Sequence, residues 1–205
     1  MLSRISILLA FILLATCASA QDTSLIKYRS IFQHQLRLWT RSFSDFNVAG
    51  FKLQKKFGFD ETPYGDMNRL KSFYSIYKPL LSFSDDSTRF IDIYSYWLNL
   101  RKEDDKLKAD VEVDQAITLC EIPFKKWTQI FFCGFSIRID EAIWIAKDRF
   151  MLAGTIKGDS SDANHPTIFI GDLYNRQFFH YIDKNSESLP SGYNSPRLKR
   201  LKIED

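Results

Sequence analysis

The apolar residues of this chain change their spacing near Pro79, and this change constrains the fold more than any other feature. Before Pro79, apolar side chains recur every three or four residues, which is the period of a helix with one buried face. After Pro79, they alternate with polar residues in short runs bounded by turn residues, as in β-strands. The sequence therefore predicts an α+β fold, in which an N-terminal amphipathic helical segment packs on an antiparallel β-sheet or small sandwich.

The helical part is expected to cover residues 24–78. From Leu25 to Phe57 the apolar residues lie on one helical face, and Asn47–Gly50 is the natural break, so one long helix or two successive helices fit this stretch. A loop over Phe57–Gly65 and a short helix that Pro79 ends complete the helical part.

The β-rich part is expected to cover residues 80–183, with a charged loop at Arg101–Asp110. The alternating runs predict strands at Phe90–Trp97, Val111–Ile122, Trp127–Phe135, Ile137–Ala146, Phe150–Ile156, Thr167–Tyr174 and Gln177–Ile182. With 45% hydrophobic and 26% charged residues, the composition is that of one globular domain, which we assign to residues 21–183. Residues 184–205 are expected to form a loose basic tail.

The first twenty residues have the pattern of a signal peptide. Arg4 precedes an apolar run at Ile5–Ala15, and Ala18-Ser19-Ala20 has the small-x-small pattern of a signal peptidase site. The apolar run is shorter than the roughly 20 residues of a spanning helix. Cys17 offers an alternative as a lipid-attachment residue, although Thr16 departs from the usual small residue before it. We expect an exported protein, periplasmic or extracellular, whose mature chain begins at Gln21.

The charge pattern suggests protein or polymer partners rather than nucleic acid. The net charge of +3 is too close to neutral for nucleic-acid binding. Two groups of cations offer an interaction surface, one on the expected helix and one in the tail: Lys52, Lys55 and Lys56, and Arg197, Lys199 and Arg200. The partner would be another envelope protein or polymer. Membrane contact would require lipidation of Cys17 or a basic helix lying on the membrane surface.

Cys120 and Cys133 remain in the mature chain after export. They lie on the expected strands Val111–Ile122 and Trp127–Phe135, and a hairpin centred between Lys126 and Trp127 would place them opposite each other. An oxidising compartment favours a disulfide between them. A centre one residue earlier separates them, and two buried thiols are the alternative.

No residue pattern in the chain has the spacing of a catalytic, cofactor-binding or metal-binding motif, so we expect a non-enzymatic protein without a cofactor. The alternative is a secreted hydrolase that recruits two carboxylates as acid and base, from Asp85, Asp86, Asp92, Asp114, Asp140 and Glu141. A loop that binds a metal ion could be formed by Asp159, Asp162, Asn164 and His165. The alternative is an ordinary polar turn, in which Gly, Asp, Ser and Asn are common. Trp97, Trp127 and Trp144 are candidates for an aromatic binding platform.

Three segments resemble parts of TolB-like β-propeller blades. The opening segment Leu81–Ile93 carries a Ser-Asp-Asp turn between apolar runs, Trp144–Gly154 is similar to a second hairpin, and Phe169–Asn175 is similar to an outer strand. About 100 residues of β structure suffice for roughly two blades, whereas a closed propeller needs at least four. The resemblance therefore implies a blade-like sheet rather than a propeller. The signal segment is also similar to those of envelope proteins of Bacteroidota-type bacteria.

Overall fold

A computed structural model describes residues 24–104, 106–158 and 163–201, together with the backbone of 203–204. Strands make up 45% of the structure and helices 22%, and the strands form three sheets. The predicted α+β fold is therefore wrong, because the protein is mainly β and its helices are few and short. The expected signal peptide, including Cys17, lies outside the described residues.

The strands fall into two five-stranded sheets and one three-stranded sheet. Their bounds are β1 Lys52–Gly58, β2 Thr62–Pro63, β3 Ser82–Phe83, β4 Arg89–Asp92, β5 Leu98–Glu103, β6 Lys106–Val111, β7 Gln115–Glu121, β8 Lys126–Cys133, β9 Ile137–Ala146, β10 Arg149–Lys157, β11 Asn164–Asp172, β12 Gln177–Ile182 and β13 Ile203–Glu204. The sheet orders are β1-β12-β11-β10-β9, β2-β8-β7-β4-β3 and β13-β6-β5. All pairs are antiparallel except β13 with β6.

Four short α-helices occur in the described chain: α1 Arg29–His34, α2 Arg37–Thr40, α3 Leu70–Tyr77 and α4 Pro196–Lys199. Single 3-10 turns lie at Leu25–Tyr28, Val48–Gly50, Met67–Arg69, Lys78–Leu80 and Ile122–Phe124. The predicted short helix before Pro79 is confirmed as α3, and Pro79 lies in the 3-10 turn that follows it.

The sheet β1-β12-β11-β10-β9, here called the central sheet, is buried on both faces. Along β10, Phe150 and Leu152 pack toward the sheet that contains β7 and β8. The alternate residues Met151 and Ala153 pack against the segment that contains α1 and α2. Because neighbouring side chains of a strand point to opposite faces, one strand serves two cores.

The segment expected to continue the N-terminal helix is instead the edge strand β1. Leu53 and Phe57 are four residues apart, a step that fits a helix, and sequence alone favours that reading. The register of β1 against β12 shifts between Leu53 and Lys55. The shift turns Leu53 toward the core beside α1 and α2 and Phe57 toward the other core. The bulge thus lets two apolar residues four positions apart serve two different cores, whereas a regular strand would place them on the same face.

The charged run Arg101–Asp110 is also not a loop, because its two halves form the hairpin β5–β6. Its strand residues carry opposite charges that pair across the hairpin. Arg101 forms ion pairs with Glu103 and Asp110, and Lys108 Nζ lies 2.8 Å from Glu103. Charged side chains on a half-exposed hairpin hide the alternation that identifies a strand in sequence.

The segment expected to be a loose tail packs on the rest of the protein, and its last described strand, β13, pairs with β6. Ser186 and Ser195 are buried, and the Leu189 amide donates to the Ser42 carbonyl at 2.8 Å. Phe43 and Ser188 form an isolated β-bridge. Residues 184–201 and β13 therefore belong to the folded unit.

The two cysteines lie on adjacent strands, as expected, but in a register that keeps them apart. Cys120 pairs with Trp127, and Cys133 pairs with Gln115 at the other end of the β7–β8 hairpin. Their separation along the hairpin is roughly 16 Å at about 3.3 Å per residue, whereas a disulfide needs Cα atoms within about 7 Å. The expected pairing is corrected accordingly: both thiols are free and buried. The tight Ile122–Phe124 turn sets this register.

Thiol titration checks this register. For the chain that begins at Gln21, we expect two free thiols after unfolding without reductant, and slow reaction of both in the native state. Burial raises the pKa of Cys120 and of Cys133 to about 12, so little thiolate is present at neutral pH. Fewer than two thiols in the unfolded, unreduced chain would contradict the structure.

An ion-pair network joins the two five-stranded sheets. Arg176, in the β11–β12 turn, places Nε 2.6 Å from Glu61 and a terminal nitrogen 3.1 Å from Glu121. Lys126 also pairs with Glu61, and Arg89 Nε lies 3.6 Å from Glu121. The hydrogen bond from Arg176, helped by Lys126, lowers the pKa of Glu61 to about 2. One guanidinium of the β11–β12 turn thus binds Glu61, next to β2, and Glu121, at the end of β7, and so ties the sheet of β11 and β12 to the other five-stranded sheet.

We expect Arg176→Met to destabilise the protein by about 2 kcal/mol, because it leaves the buried Glu121 with one distant cation. The measurement is the free energy of unfolding in urea. Arg101→Met is the matched control, since Arg101 forms its ion pairs on the exposed hairpin, and it should destabilise the protein much less than Arg176→Met. Equal losses in the two variants would contradict a stabilising role for the network.

Candidate functional site

A β-bulge in the edge strand β9 places two carboxylates together. Ala153 pairs with Glu141 and Gly154 pairs with Ile139, which leaves Asp140 as the extra residue. Ile139 and Ala142 consequently face the same core although they are three residues apart. Asp140 and Glu141 lie between them and share the opposite face, the face covered by α1 and α2. In a regular strand these two side chains would point to opposite faces.

Gly154 makes the bulge sterically feasible. A Cβ atom built at Gly154 would lie 2.0 Å from the carbonyl oxygen of Arg138. Any side chain at this position would push the bulged strand away from β10. The close backbone approach therefore depends on glycine.

Glu141 is held by the C-terminal segment. Its Oε1 accepts hydrogen bonds from the hydroxyls of Tyr193 at 2.7 Å and Ser195 at 2.9 Å. Its Oε2 lies 3.6 Å from Arg197 Nε, and the Arg197 guanidinium also donates to the carbonyls of Leu80 and Ala142. Glu141 is thus a satisfied carboxylate that fixes residues 193–197 to β9.

Asp140 has far fewer partners. Its Oδ2 accepts from the Trp39 indole at 3.1 Å. Within the described residues no cationic nitrogen lies within ion-pair distance of its carboxyl group, although Arg138 is on the same strand. Arg138 is packed instead on Trp97, with its guanidinium carbon 3.4 Å from the ring centroid. Burial raises the pKa of Asp140 to about 7, an effect that Trp39 and Arg138 only partly oppose.

Two neighbouring clefts flank this pair, and Tyr193 lines both. The acidic cleft has a volume of about 380 Å³ and is lined by Ser42, Asp140, Thr155, Ala163, Asn164, Ser188, Leu189, Pro190, Gly192 and Tyr193. The arginine cleft has a volume of about 360 Å³ and is lined by His34, Gln35, Arg37, Leu38, Glu141, Ile143, Tyr193, Pro196, Arg197 and Arg200. Both volumes are in the range of small-ligand sites.

The structure separates the two groups of cations expected to form one interaction surface. Lys52, Lys55 and Lys56 are exposed on β1, a strand and not a basic helix, at one edge of the central sheet. Arg197 and Arg200 lie beside β9 at the other edge, about 19 Å away across four strand spacings. Lys199 is exposed on α4 and is not a lining residue of the arginine cleft.

Of the carboxylates considered for hydrolysis, Asp140 and Glu141 are the two that line the clefts. Asp86 accepts from Ser84 and Thr88 in the β3–β4 turn, and Asp92 caps the turn after β4. Glu141 already has three partners, whereas Asp140 accepts one side-chain hydrogen bond from the described residues, that of Trp39. Asp140 is therefore the carboxyl group of the pair that has capacity left for a ligand. The hydrolase alternative stays a prediction.

The other sequence candidates lie apart from this site or are buried. Asp159 and Asp162 of the expected metal loop lie outside the described residues, and His165 Nδ1 is 2.8 Å from the Ser186 carbonyl oxygen. In the described part of the chain, no group of three potential metal ligands occurs. Trp127 is buried, and Trp144 donates to the Ser82 carbonyl. Trp97 stacks on Arg138, so the three tryptophans form no exposed platform.

Sequence reasoning missed Trp39, Tyr193, Ser195 and Arg37 as site residues. Trp39 belongs to the apolar stripe of the N-terminal segment and has no separate signal in the sequence. Tyr193 and Ser195 lie between Pro190 and Pro196 in a stretch that reads as an unstructured tail. Gly154 was the one available clue, since a glycine inside a strand often marks a bulge.

No protein-family model matches the chain, and comparisons with curated proteins and with solved structures also found no match. The resemblance to TolB-like blades therefore stays a prediction. No helix of the described residues is long and apolar enough to cross a membrane.

We expect Asp140→Asn to stabilise the protein at neutral and alkaline pH. The raised folded-state pKa means that the folded protein keeps this proton up to about pH 7, whereas the unfolded chain loses it near pH 4. The stabilising contribution of the neutral acid is complete below about pH 4 and is lost as the pH rises to about 7. The advantage of asparagine should grow over that window to at most about 4 kcal/mol and then level off.

Urea unfolding of both proteins between about pH 4 and pH 8 measures this difference. Asp85→Asn, at an exposed turn, is the control and should show no such trend. A difference between wild type and Asp140→Asn that does not change with pH would contradict the assignment.

Proposed function

We propose that the protein is an exported, non-enzymatic binding protein that holds an acidic group of another envelope protein or polymer in the arginine cleft. The observation that carries the proposal is the set of cations around that cleft. Arg37, Arg197 and Arg200 line it together with His34, and Glu141 is the one acidic residue among its described lining residues.

The charge of Glu141 is already balanced. Arg197 and two hydroxyls contact its carboxylate, so the cleft keeps the charges of Arg37 and Arg200. Both of these residues are exposed, and within the described chain neither guanidinium has a carboxylate partner. Guanidinium groups bind carboxylates and phosphates through paired hydrogen bonds, which suits an acidic ligand.

A neighbouring cleft extends the same basic environment. It has a volume of about 400 Å³ and is lined by Arg29 and Arg37 with no acidic residue among its described lining. An acidic chain that extends from the arginine cleft into this neighbouring cleft would meet one more cation, Arg29. This arrangement favours an extended acidic partner over a single small anion.

Export is the part of the proposal that the N-terminal sequence supports. Arg4, the apolar run Ile5–Ala15 and the Ala18-Ser19-Ala20 site form the signal pattern. An envelope partner follows from that location.

Binding of hexaglutamate tests the arginine cleft. We expect measurable binding by calorimetry at low salt that weakens as salt is added, because exposed charges are screened. The double variant Arg37→Ala and Arg200→Ala should lower the affinity about tenfold or more, since it removes both unpaired guanidinium groups.

The matched control removes the same number of charges elsewhere. Lys52→Ala with Lys55→Ala changes the far edge of the central sheet and should leave the affinity within about twofold. A larger loss of affinity in the lysine variant would indicate that hexaglutamate binds at β1 and would contradict binding in the arginine cleft. Equal losses in both variants would reduce the binding to non-specific attraction and overturn the proposal.

A further inference from the structure

The acidic cleft contains a carboxyl group with unused hydrogen-bonding capacity. A carboxylate can accept about four hydrogen bonds, and the side chain of Asp140 accepts one from the described residues, from Trp39. Trp39 is fully buried and fixes the position of Oδ2. The second oxygen has no partner among the described residues, in a cleft large enough for a small molecule.

The lining of the acidic cleft indicates the charge that a ligand should carry. Asp140 is the one charged side chain among its described lining residues, and no lysine, arginine or histidine is among them. Tyr193 forms part of the wall, and the polar residues Ser42, Thr155 and Asn164 also line the cleft. The Ser42 hydroxyl donates to the Trp39 carbonyl at 2.7 Å, so toward a ligand it can act as an acceptor. A carboxylate next to an aromatic ring is a favourable environment for an ammonium group.

We propose that the acidic cleft binds a small cationic amine that carries hydroxyl groups, with its ammonium group on Asp140. The ammonium would donate to the free carboxyl oxygen, while Trp39 keeps the other oxygen in place. The hydroxyl groups of the ligand would pair with Asn164 and the serine and threonine side chains. This site shares Tyr193 with the arginine cleft but differs from it in its other lining residues, in its charge and in the ligand that it selects.

Binding should strengthen from about pH 6 to about pH 8, because an ammonium needs the ionised carboxylate. The titratable and charged groups that face Asp140 are Arg138 and Glu141 on its own strand, Tyr94 from the β4–β5 connection and Tyr193 from the C-terminal segment. Burial raises the pKa of Tyr94 and of Tyr193 above the usual tyrosine range, and neither changes charge in this window. The two tyrosines therefore do not contribute to the pH dependence of binding in this window.

The experiment compares two probes of the same shape by NMR. 4-Aminocyclohexanol is the cationic probe, and its amine stays protonated at about pH 8, the pH of the measurement; 1,4-cyclohexanediol is the neutral one. The indole N–H signal of Trp39 reports on the site because it donates to Asp140. We expect the amine to shift this signal in a saturable way and the diol to leave it unchanged.

Asp140→Asn keeps the acceptor for Trp39 and removes the charge, and it should weaken amine binding about tenfold or more. Asp85→Asn is the matched control and should not change it. Equal shifts from both probes would indicate a neutral polyhydroxyl site and overturn the proposal, as would amine binding that survives in Asp140→Asn. The arginine-cleft double variant should bind the amine normally, so this result and the hexaglutamate result are independent.

Discussion

The apolar residues on both faces of the central sheet set the architecture of this protein. Phe150 and Leu152 on one face of β10 and Met151 and Ala153 on the other must all be removed from water. A sheet of this kind needs a cover on each side. The second five-stranded sheet covers one face, and the N-terminal segment with α1 and α2 covers the other. The short helices α1 and α2 therefore cover one face of a β-sheet. They do not form the long helical segment that the sequence predicts.

The bulge in β9 converts the edge of that sheet into a site. An edge strand has one unpaired side, and bulges are common there because the ladder can absorb an extra residue. At Asp140 the extra residue turns two consecutive carboxylates toward the same face, and Gly154 opposite it provides the room. The two carboxylates then differ because of their surroundings. Glu141 meets three donors from the C-terminal segment, whereas Asp140 meets the indole of Trp39 and remains short of partners.

The sequence predicts four of the five strands of the central sheet, β9 to β12, because these segments are long runs of β-forming residues bounded by turn residues. Ile137–Ala146 and Gln177–Ile182 have the predicted bounds. It fails at β1, where the four-residue step from Leu53 to Phe57 also fits a helix, and at β5–β6, where the charges hide a hairpin. The hairpin register at Cys120 could not be predicted, since Pro123 and its neighbours fit several turns. Of the site, sequence identifies Asp140, Glu141, Arg197 and Arg200, but not Arg37 and not which of these residues the bulge and the tail bring together.

The C-terminal segment completes the site through polar contacts. Tyr193 and Ser195 are attached to Glu141 by hydrogen bonds, and Arg197 spans from Glu141 to the carbonyls of Leu80 and Ala142. Hydrogen bonds to a buried carboxylate stabilise the fold more than hydrogen bonds to an exposed one. The reason is that a buried carboxylate without partners would cost its full desolvation free energy. Glu141 therefore fixes the segment through hydrogen bonds, and Tyr193, Leu198 and Leu201 add apolar contacts with the two cores. Because Tyr193 then stands between the clefts, one buried carboxylate keeps an acidic and a basic cleft side by side.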